Sequence, residues 1–200
     1  MTLRLIYFDT ETTGTRTDID RIVEIAAYDP VSKKTYSSFV NPQRSIPKES
    51  IAISGITDEM VKNAPTFDIV LQDFIQFCNG PVALIAHNAE NFDVPLLVAE
   101  AKRAKIALPT DWIFLDSLKW ARKYRRDLPR HSLQYLRQSF EIPPNQAHRA
   151  LADVYMLEEI FSLMIDDLTV EQLIERMGKV TLKNQQGQAI PSQQLELLPA

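Results

Sequence analysis

The chain has 200 residues, of which 45% are hydrophobic and 24% are charged, and it carries a formal net charge of −4 at pH 7. These shares are ordinary for a soluble globular protein, and the length suits one domain with a sizeable core. A negative net charge provides no global attraction to nucleic acid, so any binding of that kind has to be local.

The sequence also argues against a membrane protein and against a protein stabilised by disulfides. No apolar run approaches the ~20 residues of a membrane span, and the N-terminal region has no signal-peptide cleavage pattern. The single cysteine, Cys78, cannot form an internal disulfide and falls within a helical pattern, which suits a reducing compartment. We therefore expect a cytoplasmic protein without membrane contact.

The first predicted element is a buried strand over residues 3–8, followed by Asp9 and Glu11 and then a turn at Gly14. Side chains two apart on a strand point to the same face, so the two carboxylates should project side by side. Such a pair repels unless a cation lies between its members. The sequence therefore predicts a site for Mg²⁺ or Mn²⁺, completed by ligands from elsewhere in the chain.

Two more strands are predicted over residues 21–28 and 35–40, which together with the first suggest a meander that starts a mixed sheet. Glu24 falls inside the apolar second strand, where an unpaired charge would be costly. We expect Glu24 to be hydrogen-bonded in a structural role and not to bind metal.

A second polar segment follows a short buried strand predicted over residues 82–86. His87 and Asn88 lie at its strand–loop junction and are candidate positioning and substrate-binding groups. Asp93 opens the next helical pattern, where Pro95 is tolerated in the first turn. An N-cap role for Asp93 is the alternative to a catalytic one.

The one strongly basic stretch is residues 119–126, which follow an edge strand predicted over residues 112–116. It is either a solvated helix face or a patch that holds phosphates, with two interleaved aromatic residues as candidates for base stacking. The candidate phosphate-binding residues are Arg122, Lys123, Arg125 and Arg126, and the interleaved aromatics are Trp120 and Tyr124.

A third chemical segment contains His148 and Asp153, followed by a helical stripe of apolar residues. Five residues correspond to about 140° around a helix, so the two side chains cannot share one helix face. For both to reach one site, His148 has to lie on the loop or first turn before the helix proper.

Together these segments resemble the three motifs of the DEDDh 3′–5′ exonucleases, which include the proofreading epsilon subunits of bacterial replicative polymerases and the three-prime repair exonucleases. The resemblance covers roughly residues 3–165 and also includes the loop at residues 54–60, where many members have histidine in place of Ser54. Asp93 lies six residues after His87, whereas epsilon-type members usually have five. That spacing, and Pro95, are similar to the repair-exonuclease branch.

The resemblance implies an α/β, ribonuclease-H-like fold with a mixed five-stranded sheet flanked by helices. It implies that two divalent cations are held by four carboxylates, one lowering the pKa of a bound water and the other stabilising the leaving 3′ oxygen. It also implies that His148 is the general base, while His131 lacks an aspartate five residues on. The carboxylates are Asp9, Glu11, Asp93 and Asp153, and the turn expected to approach the terminal nucleotide is Thr12, Thr13 and Gly14.

Three readings of the function remain open. DNA 3′ ends are the expected substrate, because residues 10–14 are unlike the Leu-Glu-Met-Thr-Gly typical of oligoribonucleases. The same chemistry would serve an RNA-processing exonuclease, and the same fold could serve a non-catalytic nucleic-acid-binding module. The presence of all four carboxylates and the histidine argues against the last reading.

The expected domain organisation is an exonuclease domain at residues 1–167, followed by a short helix and a tail at residues 168–200. Within that tail, Gln194-Leu195-Glu196-Leu197-Leu198 resembles the short peptide by which bacterial polymerase-associated proteins bind the sliding clamp. The alternative is that these leucines pack on the chain's own surface.

Overall fold

The computed structural model describes residues 3–144 and 149–181. One mixed sheet of five strands forms the centre, in the order β3-β2-β1-β4-β5. The strands are β1 (Arg4–Thr12), β2 (Ile22–Asp29), β3 (Lys34–Phe39), β4 (Val82–Ala86) and β5 (Ile113–Asp116). The first three strands are an antiparallel meander, while β4 pairs in parallel with both β1 and β5. This confirms the predicted five-stranded mixed sheet.

Eight helices surround the sheet within the described ranges. They are α1 (Lys48–Ser54), α2 (Asp58–Val61), α3 (Phe67–Phe77), α4 (Asp93–Ala104), α5 (Ser117–Tyr124), α6 (Leu133–Ser139), α7 (Ala150–Ile165) and α8 (Val170–Met177). None of them has both the length and the apolar character that crossing a bilayer requires.

The central strand β1 is longer than the sequence predicted. The apolar run ends at Phe8, but pairing with β2 continues through Asp9 opposite Ala26 and Glu11 opposite Glu24. Asp9 and Glu11 therefore lie within the strand and not beyond its end. Backbone pairing with β2 extends the strand past its apolar segment, because ladder hydrogen bonds do not depend on side-chain polarity.

Each face of the sheet packs on its own set of helices, because alternate residues of a strand point to opposite faces. On one face, Ile6 and Phe8 pack with residues of α3 and α4. On the other, Leu5 and Tyr7 pack with residues of α7 and with Leu173 of α8. The α7 face is also the face to which Asp9 and Glu11 belong by alternation.

A buried ionic cluster connects the loop after β1 to α4. Glu100 is almost fully buried and accepts from the Arg21 Nε at 2.5 Å and from the Arg103 Nη1 at 2.8 Å. Arg103 also donates to the backbone carbonyls of Asp20 and Thr17. The cluster thereby holds residues 15–20 against the helix.

We predict that Glu100→Ala lowers the free energy of unfolding by about 3 kcal/mol, because it leaves two partly buried guanidinium groups without their carboxylate. Urea denaturation measures the change. The control is Asp18→Ala, which removes the exposed partner of Arg16 and should have no measurable effect. Similar stability losses in the two variants would contradict a special role for the buried cluster.

Candidate metal centre and substrate cleft

Three carboxylates from two elements come together on the α7 face of the sheet. One carboxylate oxygen from each of Asp9, Glu11 and Asp153 lies within 4.8 Å of the others. Strand alternation puts the first two side by side on β1, and Asp153 comes from the first turn of α7, which packs on that strand. The structure thus brings together three of the four carboxylates that the sequence singled out.

Glu24 holds the N-terminal end of α7 in place. Its carboxylate accepts from the backbone N–H of Ala150 at 3.1 Å and from the Arg149 Nη2 at 3.0 Å. Glu24 is therefore hydrogen-bonded, as predicted from its position in an apolar strand. The contacts place the first residues of α7 directly over β2, and so they position Asp153 three residues further along.

Asp93, the fourth carboxylate, is the first residue of α4 and is only 1% exposed. Its Oδ1 accepts from the Thr10 hydroxyl at 2.8 Å, which connects it to the residue next to Asp9. Its Oδ2 is buried and has no hydrogen-bond partner among the described residues. A buried carboxylate oxygen without a donor is costly unless a cation approaches it.

Burial and mutual repulsion both disfavour the ionised form of these carboxylates. Burial raises the pKa of Glu11 to about 7, and the neighbouring Asp153 adds to the increase. Burial also raises the pKa of Asp93 to about 7. The pKa of Asp9 lies well above its ordinary value, first through burial and then through repulsion from Asp93 and Asp153.

A hard divalent cation fits this donor set. Carboxylate oxygens are the ligands that such ions prefer, and an ion between them would cancel the repulsion that raises their pKa values. The buried Asp93 Oδ2 would also gain a partner. Asp153 comes from α7 and Asp93 from α4, which pack on opposite faces of the sheet, and both carboxylates raise the pKa of Asp9 on β1.

A cleft of about 280 Å³ opens over three of the carboxylates. Its walls combine polar groups of the turn after β1 with two apolar side chains, Ile53 and Phe92. Ile53 is 61% exposed although it is aliphatic. The lining residues are Asp9, Thr10, Glu11, Thr12, Gly14, Thr15, Ser50, Ile53, Phe92 and Asp153.

The turn after β1 divides into cleft-lining and structural residues. Thr12 and Gly14 line the cleft, and the Thr12 hydroxyl donates to the Gly14 carbonyl at 2.7 Å. Thr13 is turned inward instead, and its hydroxyl donates to Asp20 at 3.1 Å. A Cβ at Gly14 would lie 2.5 Å from an Asp20 carboxylate oxygen, so this close approach requires glycine.

His87 lies away from the carboxylates, with both ring nitrogens in contact with protein groups. Nε2 is 2.8 Å from the His131 carbonyl, and Nδ1 is 2.9 Å from the Ser117 hydroxyl. A carbonyl can only accept, so Nε2 carries the proton, and burial lowers the pKa of the ring. His87 therefore positions the chain around residue 131, whereas Asn88 lines a separate groove beside it.

The basic stretch does not form the continuous patch that the sequence suggested. Lys123 donates to the Arg176 carbonyl at 3.0 Å, and Arg125 pairs with Asp127 at 2.8 Å while lying over the Phe140 ring. Arg122 and Arg126 are exposed. Arg122 and Lys123 belong to α5, which ends at Tyr124, whereas Arg125 and Arg126 follow the helix, so no single helix face carries all four charges.

The aromatic residues of the basic stretch also have different surroundings from those expected. Trp120 is 3% exposed and packs in the core with Phe161, so it has no face available for a base. Tyr124 is 41% exposed, and its ring centroid lies 4.1 Å from that of Trp120. Base stacking by Trp120 was a wrong expectation, because the helix presents that side chain to the sheet.

Two predicted features lie outside the described residues. One is His148, and α7 begins at Ala150, two residues after it. The other is the clamp-like segment at residues 194–198. Both stay predictions.

Sequence reasoning missed the apolar walls of the cleft. Phe92 directly precedes Asp93 in an otherwise polar segment, and that placement could have drawn attention to it. Ile53 had no comparable signal, because only the packing of α1 beside the turn leaves it exposed next to the carboxylates.

Comparisons with known proteins agree with this geometry. The model of the exonuclease family RNase_T matches residues 6–161. The DNA polymerase III subunit epsilon of Treponema pallidum is 39% identical over 163 residues, which cover 79% of this chain and 74% of that protein. A PolC-type DNA polymerase III of Caldanaerobacter subterraneus is 39% identical over 166 residues, and the match covers 82% of this chain but 12% of that protein.

A solved structure of exonuclease X in complex with 5′ overhanging duplex DNA superimposes with a TM-score of 0.62 at 28% identity, covering 86% of this chain and 98% of that one. Its fold is the ribonuclease-H-like fold that the sequence implied. Because the family model spans most of the chain and the epsilon relative matches over most of its own length, the chain belongs to the exonuclease family.

Proposed function

We propose that this protein is a metal-dependent 3′–5′ exonuclease that releases nucleoside 5′-monophosphates from the 3′ ends of DNA. One observation carries the proposal: three carboxylates from β1 and α7 converge within 4.8 Å at the base of a cleft with apolar walls. Such a site can hold a cation against a phosphate while the adjoining base rests on apolar side chains.

Four carboxylates would hold two divalent cations, Mg²⁺ or Mn²⁺: Asp9, Glu11, Asp93 and Asp153. When bound, the cations lower the pKa of a water molecule and offset the charge that develops on the phosphate and the leaving oxygen. The protein's part is to keep the four carboxylates together through the contacts of Glu24 and Thr10.

The terminal nucleotide would occupy the cleft above the carboxylates. Phe92 and Ile53 present apolar surface suited to a base, since nucleobases stack on aromatic and apolar side chains. Thr12 and Gly14 contribute polar groups to the same cleft, where they could contact the sugar. Thr13 would act only through Asp20, by holding the shape of the turn.

His148 would be the general base, as the family resemblance implies. Its ordinary pKa of about 6.5 leaves it neutral at pH 7, so it can take a proton from the attacking water. Asp153 lies in the first turn of α7, five residues later, which is consistent with both groups serving one site.

DNA is favoured over RNA by the names of the similar proteins. Two relatives at 39% identity are DNA polymerase III proteins, and the solved exonuclease X structure holds duplex DNA. Processing of RNA 3′ ends is the alternative that uses the same site.

The test is degradation of oligonucleotides labelled at the 3′ end, supplied as single-stranded DNA, mismatched duplex and RNA, with Mg²⁺ and with EDTA. We expect labelled mononucleotide from DNA with Mg²⁺ and none with EDTA. Faster release from RNA would select the alternative. Products cut internally or from the 5′ end would contradict the proposal.

We predict that Asp9→Asn reduces nucleotide release to background while the protein remains folded. The change removes a central metal ligand and also removes repulsion among the carboxylates, so the metal-free protein should unfold at the same or a higher temperature. The control is Asp73→Asn, the same change at an exposed position of α3, which should keep full activity. Substantial activity in the Asp9 variant would contradict the metal role.

We predict that His148→Ala lowers the rate by ~10²–10⁴-fold, the usual contribution of a positioned base, and leaves divalent-cation binding largely intact. Single-turnover rates and calorimetric metal titration measure the two quantities. The comparison variant is His131→Ala. If that variant lost the activity and the His148 variant kept it, the assignment of the base would be wrong.

We predict that cation affinity increases with pH through about 7. Glu11 and Asp93 have pKa values raised to about 7, so below that pH the cation has to displace their protons. Calorimetric titration should show an affinity at about pH 8 that exceeds the affinity at about pH 6 by about tenfold for each of the two groups, because each changes from mostly protonated to mostly ionised over that interval.

The raised pKa values of Glu11 and Asp93 also predict how the stability of the metal-free protein depends on pH. An acid whose pKa is raised on folding stabilises the folded state at low pH, and this stabilisation is lost as pH rises through the folded value. In EDTA, the unfolding temperature should therefore fall as pH rises from about 5 to about 7, and should level off above that pH. An unfolding temperature that does not change with pH would contradict the raised pKa values. A cation affinity that does not change with pH would contradict competition between the cation and protons.

A further inference from the structure

A second recess lies on the surface beside the substrate cleft, between α5 and the segment that precedes α6. We call it the basic groove; it has a volume of about 650 Å³. Its lining includes His87, Asn88, Arg122, Arg130 and His131. No part of the proposed metal chemistry uses this groove.

Two arginines give the groove its charge. Arg122 from α5 and Arg130 from the following segment are both exposed, and no ion pair joins either one to another residue of the described part of the chain. Two cations of the same basic stretch are paired, since Lys119 pairs with Glu90 and Arg125 pairs with Asp127. The groove therefore presents two uncompensated guanidinium groups.

The groove has a rigid base. Partly buried His87 donates from Nε2 to the His131 carbonyl at 2.8 Å, which connects the Arg130 segment to the end of β4. Asp116 accepts from the backbone N–H groups of Asn88 and Glu90, each at 3.1 Å, and from that of Leu118 at 2.9 Å. These bonds set the turn after β4 against the start of α5, so the backbone segments that carry the two arginines are connected to the same strand end.

A single turn separates the groove from the cleft. Asn88 lines the groove and Phe92 lines the cleft, and the Phe92 N–H donates to the Asn88 carbonyl at 3.1 Å. Asn88 has a φ of 73°, a left-handed conformation that closes this turn tightly. A strand whose last nucleotide lies in the cleft could pass over this turn into the groove.

The charge distribution gives a reason for a substrate strand to extend from the cleft into the basic groove. The protein has a net charge of −4, and its cleft contains a cluster of carboxylates that repel phosphates. Attraction for a polyanion therefore has to come from a local basic surface. Guanidinium groups suit phosphate oxygens because they can donate two parallel hydrogen bonds.

We propose that the basic groove binds the phosphodiester backbone of the substrate strand, just upstream of the terminal nucleotide, through Arg122 and Arg130. This assignment rests on the proposed function. The phosphate-binding surface is therefore not the linear stretch of residues 119–126. It combines Arg122 of that stretch with Arg130, which lies outside it.

The experiment compares R122Q/R130Q with the control K33Q/K34Q, which removes the same charge at two exposed positions, the residue before β3 and the first residue of β3. Each variant is assayed on a 3′-labelled single-stranded oligonucleotide and on the p-nitrophenyl ester of thymidine 5′-monophosphate, which is too small to reach the groove. We expect the groove variant to lose at least about tenfold more kcat/KM on the oligonucleotide than on the ester, mainly through KM.

Salt dependence and a conservative variant complete the test. The log–log slope of oligonucleotide affinity against salt, measured by fluorescence anisotropy in EDTA, should flatten by about 1.4 for two lost contacts to single-stranded DNA. R122K/R130K should recover most of that slope, because lysine keeps the charge. The control variant should keep both the slope and the kinetic constants of the unmodified protein.

Three results would overturn the proposal: an unchanged salt slope in R122Q/R130Q, equal losses on the oligonucleotide and the ester, or an equal effect in K33Q/K34Q. Failure of the proposed function looks different. In that case the unmodified protein would hydrolyse neither substrate, whereas the anisotropy slopes would still report whether the groove binds DNA.

Discussion

Mutual repulsion among the carboxylates on and around β1 is the constraint that the surrounding contacts have to offset. Asp9, Glu11 and Asp153 lie within 4.8 Å, and Asp93 adds to the repulsion at Asp9. A protein that needed only stability would not place these groups together, because each raises the cost of ionising the others. The arrangement is useful when a cation binds, and the cation then contributes to stability as well as to chemistry.

Structural contacts outside the cluster keep these groups in place against their own repulsion. Glu24 binds the first N–H of α7, and Thr10 binds Asp93, so a helix from each face of the sheet is tied to β1 or its neighbour. Neither contact depends on a metal. The scaffold can therefore hold the ligand geometry before the cation arrives, which is what preorganised sites require.

The cleft and the basic groove, on either side of one turn, differ in charge and would suit different parts of a polyanion. The cleft carries negative charge and apolar walls, which suit one base and one phosphate bridged by metal. The groove carries Arg122 and Arg130, which suit phosphates further along the strand. Asp116 serves both regions, because it receives N–H groups from the turn that separates them and from the first turn of α5.

The sequence by itself determined where the strands lie, which carboxylates are candidate ligands, and the family, because these depend on local pattern. Alternation along β1 is enough to place Asp9 beside Glu11, and an apolar strand is enough to require hydrogen bonds for Glu24. Only the tertiary structure determined which side chains lie next to one another and which are buried. It turned Trp120 into the core, paired Arg125 with Asp127, directed Thr13 to Asp20 and brought Arg130 beside Arg122. Each of these outcomes depends on contacts between residues of different elements or on how a helix is rotated against the sheet, and a one-dimensional pattern specifies neither.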